Sequence, residues 1–259
     1  MIRAVPALAA VLLALASSPG AAAPVETRAS YVLTVGRINV ALVDVDFNDD
    51  GRRYGLDLMA KVTGFGSLVA SGTAHASAAG ASGGRSLVSE SFALETRANG
   101  ETFNVDVGFA GREVNRFTVE PPVLDSYDRV PVERRHLRGV GDFLSAFVLK
   151  GEGLDKSLCQ RTLNIFTGVE RFDIAMAFVE TDEATSPRTG YQGPLVLCSL
   201  DYRPISGHYA SSEITTYLAE SSRILIWYAP LGTSGYFIPY RALLGTTMGD
   251  LSMVLVGTR

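Results

Sequence analysis

Tyr31-Val32-Leu33-Thr34-Val35-Gly36-Arg37-Ile38-Asn39-Val40-Ala41-Leu42-Val43-Asp44-Val45-Asp46-Phe47 places apolar side chains at every second position. A period of two is the signature of a strand with one buried face, whereas a helix would repeat every 3.6 residues. The stretch contains a change of phase: Ile38, Val40 and Leu42 keep even positions, and Val43, Val45 and Phe47 take odd ones. A regular strand cannot switch faces, so a bulge or a sheet corner belongs near Leu42-Val43. Asn48-Asp49-Asp50-Gly51 follows as a hairpin turn, because Asp-Gly accepts the positive φ that such turns require.

Working outward, the same alternation recurs at Tyr54 to Val62 and, after an Asn99-Gly100 turn, from Phe103 to Phe109. It continues past Gly111 toward Phe117 and Val119, which makes the first half an antiparallel meander. Further strands read at Leu163–Phe166, Phe172–Phe178, Leu195–Tyr202, Ile224–Tyr228, Tyr236–Tyr240 and Leu251–Val256. The Ala/Gly/Ser run between Gly72 and Arg85 reads as a flexible connection. One helix is expected at Asp142–Lys150, with Phe143, Leu144, Phe147 and Val148 on one face and Gly141 or Asp142 as its cap. Ser212–Ser222 is a second candidate. The expected architecture is therefore all-β: one long, strongly coiled antiparallel sheet, a β-spiral or partly open barrel, wrapped around a central helix.

The chain has 259 residues, of which 47% are hydrophobic and only 19% charged. Roughly a quarter charged is usual for a globular domain, so a disordered or highly charged tail protein is excluded. Residues 1–23 carry Arg3, the apolar run Ala7 to Ala16, the breakers Pro19 and Gly20, and Ala21-Ala22-Ala23. That pattern reads as a cleavable signal peptide, too short in its apolar part to anchor a membrane. Export to the periplasm follows as an expectation, with residues 24–259 as a single β domain acting as a monomer. A formal net charge of −4 gives no footprint for nucleic acid. Cys159 and Cys198 are the two cysteines of the chain, and outside a reducing cytosol they are expected to pair.

Several segments together resemble a known family. They are Tyr31 to Val40, Asp142-Phe143-Leu144-Ser145-Ala146, and Cys159 with Phe166-Thr167-Gly168-Val169-Glu170-Arg171-Phe172-Asp173. Cys198-Ser199-Leu200-Asp201-Tyr202-Arg203-Pro204-Ile205-Ser206-Gly207-His208 and Phe237-Ile238-Pro239-Tyr240-Arg241 complete the set. The pattern is similar to the bacterial envelope family called domain of unknown function thirty-one-oh-eight, in its alphaproteobacterial form. Phe143 departs from it, since Pro usually stands there. The resemblance implies an envelope compartment and a β fold rather than an activity. At the level of fold alone, the late cysteine pair and long sheet also resemble β-spiral envelope-integrity proteins, which are held to be non-enzymatic.

Motifs that could carry chemistry are few. Gly80-Ala81-Ser82-Gly83-Gly84 has the letters of a hydrolase nucleophile elbow but neither the strand before it nor the helix after it. Asp46 to Asp57 has the carboxylate spacing of a calcium loop, yet Arg52 and Arg53 stand inside it and no helices flank it, so a hairpin is the better reading. His75, His136 and His208 have no metal-ligand spacing, and no cofactor motif is present. Arg171 and Asp173 share a strand face and are expected to pair with each other or with a neighbouring strand rather than bind a ligand. Trp227 and Tyr228 sit in an apolar strand and read first as core; the second reading is that Phe65, Phe147, Trp227 and Tyr236 line a hydrophobic groove. His208, after the Pro204-Ile205-Ser206-Gly207 turn, reads first as an exposed turn residue and second as a ligand contact.

The expected function is a non-enzymatic factor of the periplasm that supports the cell envelope by binding a lipid, a peptide or an envelope protein. The alternative is a hydrolase of cell-wall or acyl substrates using a carboxylate or His208. A bridge between Cys159 and Cys198 closes a loop of 39 residues, worth about 4 kcal/mol by the chain-entropy model. Cys159→Ser is therefore expected to lower the melting temperature in oxidising buffer by several degrees or more. An unchanged thermal scan would show that no stabilising bridge exists.

Overall fold

The computed structural model describes residues 24–64, 71–124, 126–246 and 249–259. The signal-peptide expectation and Phe65 both lie outside that set. The first half is a meander of seven strands: β1 (Val25–Val35), β2 (Ile38–Asp49), β3 (Arg53–Val62), β4 (Gly72–Ala81), β5 (Val88–Ala98), β6 (Glu101–Ala110) and β7 (Glu113–Glu120). The second half adds β8 (Leu149–Lys150), β9 (Thr162–Phe166), β10 (Arg171–Ala184), β11 (Gly193–Ser206), β12 (Ile224–Pro230), β13 (Tyr236–Leu244) and β14 (Leu251–Thr258). All belong to one sheet in the order β7-β6-β5-β4-β3-β2-β1-β14-β13-β12-β11-β10-β9, with β8 paired to β13. Every pairing between named strands is antiparallel. The first and last strands of the described residues thus lie side by side, with Tyr31 opposite Leu255.

Pairing alone does not close the sheet into a barrel: β7 and β9 are its two edges. A short irregular segment laces them together. Val140 N–H donates to Arg112 O at 3.0 Å beside β7, and Gly141 N–H donates to Asn164 O of β9 at 2.9 Å. Phe166 N–H returns a bond to Gly141 O at 3.0 Å. Across the same gap the rings of Phe117 and Phe166 meet edge to face, 5.2 Å between centroids. Buried backbone groups need partners, and this lacing supplies them where no neighbouring strand does.

The phase change in β2 has a local cause. Thr34 lies opposite Asn39 and Leu33 opposite Ala41, so Val40 is an extra residue with no partner in the register. This is a bulge, two residues earlier than the flip in hydrophobic pattern. Beyond it Val43 and Phe47 are buried while Leu42 stays exposed, as Ile38 does before it.

Two expectations need correction. The Gly72–Arg85 run is not a flexible connection: Gly72–Ala81 is β4, paired on both sides with β3 and β5. Its side chains are small because large neighbours fill the space above them; Ala76 and Ala78 are buried in a cluster with Tyr54, Leu56 and Phe92. Asp142–Lys150 is not an α-helix either. Only Ser145–Phe147 forms a 3-10 turn, and Leu149 and Lys150 extend to pair with Phe237 and Tyr236 of β13. Sheet pairing at the end of the segment outweighs a helix-like spacing of apolar residues, and those residues face a cavity instead. The α-helix among the described residues is α1 (Glu213–Glu220), capped by the Ser212 side chain accepting from Thr215 N–H.

Gly80 tests the packing of β4. A Cβ added there would stand 2.0 Å from Val88 O and 2.9 Å from the Tyr54 ring, whereas one added at Gly257 would meet nothing within 4 Å. Overpacking of this kind costs about 1 to 3 kcal/mol. Gly80→Ala is expected to lower the melting temperature by about 3 to 10 °C, and Gly257→Ala to leave it within about a degree. Equal effects would contradict the close approach of β4, β5 and Tyr54.

Candidate functional site

Antiparallel order sorts the connections into two groups. The β1–β2, β5–β6 and β13–β14 turns gather at one end of the strands, together with the β11–β12 connection that carries α1. The β2–β3, β4–β5, β6–β7 and β12–β13 turns gather at the other. Between the two ends lies a cavity of about 470 Å³. Its walls come from both halves of the sheet: Tyr31, Val43 and Leu56 from one, Ile174, Ile226 and Leu243 from the other. Phe143, Leu144, Phe147 and Val148 of the former helix expectation form a further wall, and Leu218 of α1 reaches in at the α1 end. The volume is within the range of sites for small apolar ligands.

The lining is almost wholly carbon, so the cavity offers few polar anchors. Tyr202 is one of them; burial, with Glu170 adding to it, pushes its phenol up to about 12, so it stays a neutral donor at ordinary pH. The helix over this end is loosely held. None of its residues is buried, and Ile214 is 74% exposed. Tyr217 O–H donates to Gly245 O, and the Arg223 guanidinium pairs with Asp250 at 3.2 Å.

The opposite end is held by polar groups. Asp142, fully buried, accepts from Ser89 Oγ and Ser145 Oγ at 2.5 Å each and from Ser145 N–H at 2.8 Å. Tyr54 O–H stands 3.4 Å from the same carboxylate; burial first, and then the Asp142 charge, raise its phenol above the ordinary value. Asp49 makes a second such node, accepting from Tyr236 O–H at 2.5 Å and from Ser82 Oγ. Burial and the bond to Asp49 likewise raise the Tyr236 phenol. Carboxylates this deep persist because several donors replace their lost hydration.

The structure separates the aromatics expected to share a groove. Phe147 lines the cavity. Trp227 does not; the Arg241 guanidinium stacks 5.1 Å from its ring, and its indole N–H donates to Asp182 at 2.8 Å. Tyr236 belongs to the Asp49 node, with Lys150 Nζ 5.0 Å from its ring centroid. His208 lies past β11 at the α1 end, outside the cavity lining, with its Nδ1 buried and without a hydrogen-bond partner among the described residues. Cys159 and Cys198 form a disulfide with Cα atoms 5.5 Å apart. Sequence reasoning missed Asp142 as more than a helix cap and missed Asp49 as a buried node.

The remaining motifs have structural partners. A strand does precede the elbow-like motif, since β4 runs directly into it, but no helix follows; Ser82 is buried and its hydroxyl donates to Asp49, with no histidine among the described residues bonded to either. Asp46 pairs with Arg28 at 2.6 Å, which holds its carboxyl below the ordinary value, and Asp57 pairs with His75 at 2.7 Å. Asp50 Oδ1 instead accepts from Arg52 and Arg53 N–H, closing the hairpin turn. Arg171 and Asp173 form an ion pair of 2.6 Å.

These features define a barrel-like all-β protein with an apolar interior. No family model matches the chain, and no curated protein does. Among solved structures it is similar to a β-barrel-like protein of the domain of unknown function DUF1849 from Brucella abortus. The TM-score is 0.51 at 11% identity, over 91% of this chain and 97% of that one. The likeness is one of fold, and it falls in a different family from the one the sequence resembles.

Removing the Asp142 carboxylate leaves two serine hydroxyls and a backbone N–H without their acceptor. Asp142→Ala is expected to cost about 3 kcal/mol in urea unfolding. It should also raise hydrogen exchange at Val140 and Gly141, which lace the sheet edges. Retained protection there would show that Asp142 is not what positions the lacing segment.

Proposed function

We propose that this chain is a non-enzymatic periplasmic binding module that holds an acyl chain or similar apolar ligand and thereby supports the cell envelope. The observation that carries the reading is the apolar cavity lined by both halves of the sheet. A site built for hydrolysis converges ionisable groups on a reacting atom. Here the interior converges side chains of Leu, Ile, Val and Phe, and the buried serines and aspartates at the far end bond to one another. The export expectation and the envelope family that the sequence resembles support the compartment.

Entry is proposed beneath α1. Leu218 caps the cavity at that end, and a helix with no buried residue opens at lower cost than the polar nodes opposite. Apolar contacts supply the affinity and the sparse polar groups orient the ligand.

Native mass spectrometry of the protein from periplasmic extract is expected to show a retained lipid mass, and a fluorescent fatty acid to bind the delipidated protein saturably. Ala242 lines the cavity, and Ala242→Phe should weaken that probe at least tenfold while the chain stays folded by circular dichroism. Absence of both retained mass and saturable binding would sink the acyl-chain reading, and a co-purified peptide mass would replace it with a peptide-binding one.

A further inference from the structure

A second concavity of about 740 Å³ lies at the polar end, separated from the apolar cavity by the 142–150 segment, with Val148 common to both linings. Its chemistry is of the opposite kind. Arg85, Arg112, Lys150 and Arg161 converge on it, in a chain whose formal net charge is −4. They arrive from four separate places: the β4–β5 turn, the β6–β7 turn, β8, and the residue preceding β9. The topology, not a local run of basic sequence, therefore assembles the cluster.

None of the four cations has an ion-pair partner among the described residues. The carboxylates of the lining are Asp142, Glu152 and Asp155. Asp142 is saturated by serine donors, and Asp155 Oδ1 accepts from Ser157 N–H at 2.7 Å. The lining thus sets four cations against three carboxylates, and Asp142 and Asp155 are engaged by serine donors rather than by any of the four. Two cations are set by backbone carbonyls: Lys150 Nζ donates to Ser82 O at 2.5 Å, and Arg161 Nη2 donates to Lys150 O at 3.4 Å. Arg161 is half-buried, and burial lowers its affinity for its proton. A desolvated guanidinium without a counter-ion is an unfavourable arrangement that an incoming anion relieves.

We infer that this cleft binds a phosphate- or carboxylate-bearing polar ligand, with Arg161 and Lys150 at its base and the exposed Arg85 and Arg112 at its rim. The inference is independent of the apolar cavity, since it needs no acyl chain. Guanidinium groups grip such oxyanions through paired N–H donors, whereas the lysine contributes a point charge.

The test is titration of the mature protein with inorganic phosphate and, separately, citrate, followed through arginine Nε–H resonances. Saturable shifts of Arg161 and Arg112 are expected. Arg161→Gln should weaken the response at least tenfold with an unchanged urea midpoint, and Lys156→Gln, outside the cleft, should leave it unaltered. If Arg161→Gln unfolds the chain, exposed Arg85→Gln serves instead, with a severalfold loss expected. Sedimentation with phosphatidylglycerol and phosphatidylcholine vesicles separates the sources. Arginine-dependent binding to the former alone assigns a lipid headgroup, and binding of phosphate or citrate without vesicle binding assigns a soluble anion. The absence of saturable shifts with both probes overturns the inference, as does a charge-removing variant that responds like the parent.

Discussion

The pairing of β1 with β14 holds the architecture together. It joins strands from the two ends of the described chain in a run from Ala29↔Thr258 to Val35↔Leu251, flanked by mutual backbone bonds between Arg28 and Arg259. Without that seam the protein would be two meanders with no shared interior. The cavity exists because the seam brings β2 and β3 to face β10–β12 across β1, β14 and β13. The entropy of closing so long a loop grows only logarithmically with its length, so a seam of continuous pairs and a buried Tyr31–Leu255 contact can offset it. A bulge sits on each side of β1: its register shifts against β14 at Ser30/Tyr31 and against β2 at Leu33/Thr34. Bulges bend and twist a strand, and here they fall in the strand that joins the two halves.

Much of the fold is legible in sequence because alternation is a local signal. β2, β3, β6 and the tail strands each announce themselves by apolar residues two apart, and the Asp50-Gly51 turn follows from its residue types. β4 was illegible for a non-local reason: its buried face is Ala76, Ala78 and Gly80, and their small size is set by Tyr54 and Phe92 on neighbouring strands. The Phe143–Val148 segment misled in the opposite direction. Its spacing reports one-sidedness, which a helix would produce, but a 3-10 turn against a cavity wall produces it as well.

The candidate site was less legible than the fold. Of the aromatics, strand parity could say that Trp227 and Tyr236 alternate with their neighbours, but not which faces the interior; that depends on partners far away in the chain, Asp182 and Arg241 for Trp227 and Asp49 for Tyr236. The buried carboxylates gave less signal still. Asp49 looks like an ordinary turn residue, and its burial depends on Tyr236, 187 positions away in the chain. A polar node is a property of the closed fold, with no pattern of its own in the sequence.

The two ends differ in how they can open. Closing the far end with Asp49 and Asp142 is costly compared with an apolar plug, because each carboxylate must recover its hydration through placed donors. What such nodes give in return is direction: a bond to Ser89 or Tyr236 forms in one geometry, so the lacing segment and the β2–β3 turn are held in place. Among the described residues the α1 end has no comparable buried carboxylate, and its helix buries none of its own residues. Local opening therefore concentrates there, since regions with few buried contacts open at free energies well below global unfolding. For the binding role proposed above, this asymmetry sets a route: an apolar ligand passes under α1, while the polar end stays closed behind the 142–150 partition. The same partition keeps the unpaired cations of the outer cleft out of the cavity, where an uncompensated charge would oppose the burial of an acyl chain.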